Sequence, residues 1–232
     1  MVILMIDPHA KEVIASFYRI RQALGVLGIL FPLLLLAGSF LGQADLPPAI
    51  SDYYHTLLRD LFVGCLFAIG MFLLFYKGHK PLRGERFSDD VVTSIAGFGA
   101  VLLALFPNEA PRPDPESFTQ SMLGMGWTVR VHYLAAQLFL FSLAYMCLVK
   151  FARTESLPRR RIYRTCGWAI IAMGCLATAA SIFKVFGSST QRAFVHDYSL
   201  VLWAEAIGIW AFGCSWLVKG RADSLVFRSR QS

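Results

Sequence analysis

The chain has 232 residues, of which 56% are hydrophobic and only 16% charged, with a formal net charge of +7. Soluble domains carry nearer a quarter charged residues. Here the charges collect between long apolar stretches, which excludes a soluble protein with one large core. The same placement argues against nucleic acid as a partner: the basic residues flank apolar spans, where they set orientation and meet anionic headgroups.

Crossing about 30 Å of hydrocarbon takes about 20 mainly apolar residues, and lipid offers the backbone no hydrogen-bond partner, so a helix is the default. Taken in chain order, the apolar stretches predict an all-α polytopic bundle, one domain over 1–232, of six transmembrane helices. These cover Ala23 to Gly42, Leu57 to Tyr76, Val91 to Phe106, His132 to Val149, Ile162 to Phe186 and Val195 to Val218. Pro32 sits inside the first and is able to kink it. Asp7 and Glu12 in the leader, and the length of the apolar run, favour an uncleaved first helix over a signal peptide.

Seventeen of the 22 Lys and Arg fall in the leader, the second-to-third loop, the fourth-to-fifth loop and the tail. This places both termini in the cytoplasm. The Arg159-Arg160-Arg161 run is a topological anchor first. Cys65, Cys147, Cys166, Cys175 and Cys214 all lie in apolar stretches and read as small hydrophobes, with neither a disulfide framework nor a thiolate metal site. Gly97, Gly99, Gly167 and Gly174 read as close helix packing. Lys184 reads as a lysine reaching from its helix to the interface. The proline-rich loop from Pro107 to Pro115 either lids a site or connects two helices.

The second, fourth and sixth predicted helices begin on the outer face, each with a histidine near its first turn: His55, His132 and His196. His9 and His79 fall on the cytoplasmic side. Ser51, Asp52, Arg59 and Asp60 accompany the first of these. If the helix starts early, its spacing sets Asp52, His55 and Arg59 on one face, with Asp60 about 100° round. Glu205 lies about 13 Å deeper than His196 by helical rise, so it is expected to face the bundle interior, protonated or paired.

Three neutral imidazoles with an open fourth position are the ligand set of a catalytic zinc, with Asp52 or Asp60 as orienting group or general base and Ser51 within reach. Haem held by two of the histidines is a weaker expectation. The competing expectation is interfacial: histidines beside Tyr53, Tyr54, Trp127, Tyr133 and Tyr198 form an aromatic belt at headgroup level.

The stretch Pro48-Ala-Ile50-Ser51-Asp52 resembles an element of the six-span Frag1/DRAM/Sfk1 membrane proteins and their bacterial relatives. His132-Tyr-Leu-Ala135-Ala136 with Phe139 and Tyr145, and Trp203-Ala-Glu205, are similar to two further elements of that family in the same order. Tyr54 and Ala135 stand where the family usually has glycine. The resemblance implies a multi-pass protein of a bacterial inner membrane with a lipid-related role. Alkaline ceramidases and adiponectin receptors offer an analogy in chemistry, since their Ser-x-x-x-His element looks like Ser51 to His55.

Two functions follow as expectations. One is a membrane protein that binds or organises lipid, or serves as a subunit of a membrane complex with a protein partner. The other is a metal-dependent hydrolase or acyltransferase acting on a lipid-like substrate through His55, His132 and His196. Glu205 alone gives a transporter a thin basis.

Overall fold

The computed structural model describes residues 8–78, 81, 85–109, 114–153 and 156–221. Within them every regular element is helical: α1 (Pro8–Leu41), a 3-10 turn (Ser51–His55), α2 (Arg59–Leu74), α3 (Asp89–Leu105), α4 (Phe118–Leu123), α5 (Met125–Tyr145) continued by a π turn (Met146–Phe151), α6 (Leu157–Phe186), α7 (Ser189–Asp197) and α8 (Leu200–Lys219). Local sequence explains the starts. Ser88 caps α3 by accepting from Val91 N, ahead of Asp89 and Asp90 in the first turn, where carboxylates suit the helix dipole. Ser188 and Gln191 form a reciprocal capping box at the start of α7. Pro32 lies inside α1 without ending it.

The long helices pack as a closed ring in the order α1, α2, α3, α5, α6, α8 and back to α1. Its interior is filled by Phe31, Leu35, Ile69, Leu73, Phe139, Phe212 and Trp216. Small residues let the backbones approach. A Cβ on Gly213 of α8 would stand 2.8 Å from Ile29 N and 2.9 Å from Gly25 O of α1. Gly97 of α3 faces Gly70 and Leu74 of α2 as closely.

The ring has two ends. At the near end, where α1 begins, Gln22 bonds Gly220 O, and Tyr76 packs edge-on against Trp216. There Lys150, 5% exposed, reaches Glu85 at 2.8 Å, the Phe87 carbonyl and Asp89 at 3.5 Å, while Arg153 takes the other Glu85 oxygen at 2.7 Å. These bonds fasten the α2–α3 connection to the π turn. The far end carries the 3-10 turn, residues 106–109 and 114–117, α4, and the chain between α6 and α8.

Among the described residues four helices are long and apolar enough to cross a membrane: Ile14–Leu41, Met125–Phe151, Leu157–Lys184 and Leu200–Lys219. The second and third predicted spans are α2 and α3, of 16 and 17 residues, below that length. Other boundaries also move. α1 starts in the leader, well before Ala23. α5 begins two turns before His132, so that histidine lies inside its helix. The last predicted span divides in two, because Ser199 adopts φ 46° and separates α7 from α8. His196 therefore belongs to α7. Of the residues that set the predicted orientation or the loops, His79, Lys80, Arg83, 110–113, Arg228 and Arg230 lie outside the described residues.

Candidate functional site

The far end is organised by a short segment after α1. Pro48 O accepts from Leu202 N at 2.9 Å, satisfying one of the first-turn N–H groups that α8 leaves without an intrahelical partner. Glu205, one turn further along α8, accepts from Ile50 N at 2.7 Å and from Ser51 N at 3.4 Å, both on Oε2. The 3-10 turn that follows is held to α1 by the Tyr53 and Ser39 hydroxyls, 2.8 Å apart. Burial pushes the Tyr53 hydroxyl above its usual pKa, and the Ser39 bond partly offsets this.

A polar network spreads from that turn. Asn108 Nδ2 donates to Ser51 Oγ at 3.2 Å and to Asp52 Oδ1. Its Oδ1 lies 3.2 Å from His55 Nε2, and His55 Nδ1 lies 2.8 Å from Glu116 Oε2. Arg59 donates to Glu116 O and to the Tyr54 hydroxyl, and stacks over the Tyr54 ring at 4.2 Å. Lys184, at the end of α6, meets Asp52 at 3.4 Å. The chain from Glu116 to Lys184 thus ties the 3-10 turn, the loop after α3 and the end of α6 into one layer.

Beside this layer lies a cavity of about 380 Å³, framed by α5, α6 and α8, within the range of small-molecule sites. α5 and α6 meet closely near their junction, where a Cβ on Gly167 would collide with Leu148. At Gly174 the nearest such contact relaxes to 3.5 Å, and the cavity opens beyond it. Its polar wall includes Ser51, Asn108, His132, Gln137, Lys184 and Glu205. Leu134, Ile182 and Phe186 also line it and are exposed on the outer surface of the bundle, so the cavity opens sideways through an apolar mouth. A chamber of about 60 Å³ continues inward between Phe31, Phe62 and Phe139 and shares Ser51, His132 and Glu205. His132 is 3% exposed, and its Nδ1 lies 2.8 Å from the Phe106 carbonyl. In the neutral ring that bond fixes the hydrogen on Nδ1 and leaves Nε2 as an acceptor.

Several expected roles are corrected by this geometry. His55, His132 and His196 do not converge: His55 sits in the polar layer, His132 at the cavity, and His196 on α7 with its side chain 72% exposed, 3.6 Å from Asp197. Among the described residues no group of three or more His, Cys, Asp or Glu side chains is placed to hold a metal ion. The residues present do not fit a zinc centre. Asp52 and His55 belong to the 3-10 turn and Arg59 to α2, so they share no helical face. Asp60 is exposed in the first turn of α2, away from the cavity, and is not placed to act there. Ser51, Asp52, His132 and Glu205 do come together at or beside one cavity.

Asn108, Glu116, Lys184 and Gln137, whose side-chain amide donates to Thr178 Oγ1 at 3.0 Å, complete the arrangement, and sequence alone does not single them out as site residues. The proline-rich loop was the one signal for Asn108. Compared with known proteins, the chain matches no family model, no curated protein and no solved structure.

Proposed function

We propose that this chain is a six-span protein of a bacterial inner membrane, both termini cytoplasmic, that takes a single lipid-like amphiphile sideways into the cavity between α5, α6 and α8. One observation carries the reading: the cavity is divided by chemistry, with a polar wall of Ser51, Asn108, His132 and Glu205 and an apolar mouth of Leu134, Ile182 and Phe186 that opens on the bundle's outer surface. A headgroup satisfies the wall, and acyl chains leave through the mouth into the bilayer. A water-soluble ligand has no use for an apolar lateral opening. Support for six spans comes from the ring itself, in which α2 and α3 pack side by side with the four longer helices. Seventeen basic residues on the segments assigned to one side support the orientation.

The test is lipid retention. The chain is purified in mild detergent and bound lipid is read by native mass spectrometry, wild type beside Gly174→Leu. Gly174 lines the cavity, and a Cβ there meets only Leu140 at ordinary contact distance, so a leucine fills the space without forcing helices apart. Stoichiometric lipid on the wild type, lost in the variant, is the expected outcome. Equal retention in both, or none in either, removes the reading.

A further inference from the structure

Glu205 and His132 line both the large cavity and its inner chamber, so they stand where the two meet. Both hydrogen bonds of Glu205 fall on Oε2, leaving Oε1 without a partner among the described residues. His132 spends its Nδ1 on the Phe106 carbonyl, so the neutral ring offers Nε2 as a second acceptor. The charge at this depth is also one-sided. Lys184 is the other charged residue of the lining, and Asp52 already pairs with it at 3.4 Å. Glu109, bonded to the hydroxyl of the lining residue Tyr133 at 2.8 Å, adds a second carboxylate behind the wall.

Resting on the lipid-binding reading above, we infer that the cavity selects a headgroup bearing a primary ammonium, an aminophospholipid of the ethanolamine type. An ammonium brings N–H donors and positive charge to two acceptors that line both cavities. An anionic headgroup would be repelled by the Glu205 carboxylate. In an aminophospholipid the phosphodiester follows the amine by two carbons. It then lies toward the mouth, where the Lys184 side chain, 32% exposed and shared with Asp52, offers a cation. A quaternary ammonium keeps the charge but has no N–H to give, so it ranks between the amine and an anionic headgroup.

The experiment titrates the purified full chain in mild detergent with phospholipids of identical dioleoyl chains carrying ethanolamine, choline or glycerol headgroups, bound lipid being read by native mass spectrometry. A charge-assisted hydrogen bond is worth about tenfold or more in affinity, so ethanolamine is expected to exceed glycerol by about that factor, with choline between. In Glu205→Gln the order should collapse to within about twofold while lipid is still bound, since the amide keeps an acceptor for Ile50 N but loses the charge. Glycerol bound as well as ethanolamine by the wild type overturns the headgroup assignment and leaves cavity binding standing. An unchanged preference in Glu205→Gln also overturns it. No lipid bound to the wild type overturns the underlying reading instead. The wild-type series decides the headgroup even where the variant does not fold.

Discussion

Glu205 Oε2 accepts a 2.7 Å hydrogen bond from the backbone N–H of Ile50, 155 positions earlier in the chain. With the bond from Leu202 N to Pro48 O, it pins the segment after α1 onto the start of α8. That segment in turn carries Ser51 and Asp52 to the cavity. A carboxylate inside an apolar helix therefore has a structural task beside any role toward a ligand. Glu205→Ala leaves the N–H groups of Ile50 and Ser51 without their acceptor and should cost about 1–3 kcal/mol, whereas Glu205→Gln keeps an oxygen in place and should cost less. Thermal unfolding in detergent separates the two; equal losses would mean that the bond to Ile50 contributes little.

The two far-end histidines that do not reach the cavity should behave in opposite ways. His55 has a side chain 4% exposed and bridges Glu116 and Asn108. His55→Ala removes both bonds from a buried layer, so a loss of about 1–3 kcal/mol is expected in thermal unfolding. His196 stands on the surface of α7, and His196→Ala should stay within about 0.5 kcal/mol of wild type. A matching loss in both variants would point back to a shared task for the histidines.

How far this arrangement was legible from sequence depends on which partners the residues use. The helices were, because in lipid an apolar run has no alternative to helix. Their ends were less so. The break before α8 rests on Ser199 in the left-handed region, an unusual choice for serine that no local pattern demands. The start of α7, by contrast, carried a readable Ser-x-x-Gln cap at Ser188 and Gln191. Glu205 could be placed in the membrane by counting residues, but its partners are backbone N–H groups, which have no sequence signature. Lys184 and Asp52 lie 132 residues apart, and only the ring closure brings them together. The three histidines share an end of the bundle, as the spacing implied, yet sharing an end does not bring side chains to one point.

Close packing of α1 on α8 gives a paired test. A Cβ on Gly213 would stand 2.8–3.0 Å from Ile29 N, Gly25 O and Gly28 C, all backbone atoms, while one on Gly64 would meet nothing within 4 Å. Backbone cannot swing aside, so Gly213→Ala must push the helices apart, at about 1–3 kcal/mol. Gly64→Ala should be neutral or stabilising by up to about 1 kcal/mol, through helix propensity alone. Unfolding midpoints of the two variants, measured together, check this; parity would mean that α1 and α8 separate freely.

Lys150 holds the near end. Its side chain is 2% exposed and faces Glu85 and Asp89, themselves 5% and 9% exposed. Lys150→Met takes a buried cation away from two buried carboxylates, and removing one partner of such a cluster costs about 3–5 kcal/mol. Adding Glu85→Gln should recover part of the loss, because one of the two negative charges is then gone. Folded yield and unfolding midpoint of the single and double variants report this; a double variant worse than the single would contradict it.

The short helices α2 and α3 decide the topology. At 16 and 17 residues they rise about 24 and 26 Å, short of the roughly 30 Å hydrocarbon layer. A short span is accommodated by local thinning of the bilayer at modest cost, and both helices are fixed between longer neighbours in the ring. If they cross, the connection between them lies on the same side as the connection between α5 and α6, opposite the end of α1. Single cysteines at the exposed positions Gln43, Phe87 and Ser156 read this directly with a charged, membrane-impermeant maleimide. Gln43→Cys should label in spheroplasts with intact inner membranes, and Phe87→Cys and Ser156→Cys only after those membranes are opened. Labelling of both Gln43→Cys and Phe87→Cys in the intact spheroplasts would reduce α2 and α3 to a hairpin that enters and leaves by one face, and the six-span assignment would fall. Labelling of Ser156→Cys but not Gln43→Cys would invert the orientation while leaving the ring unchanged.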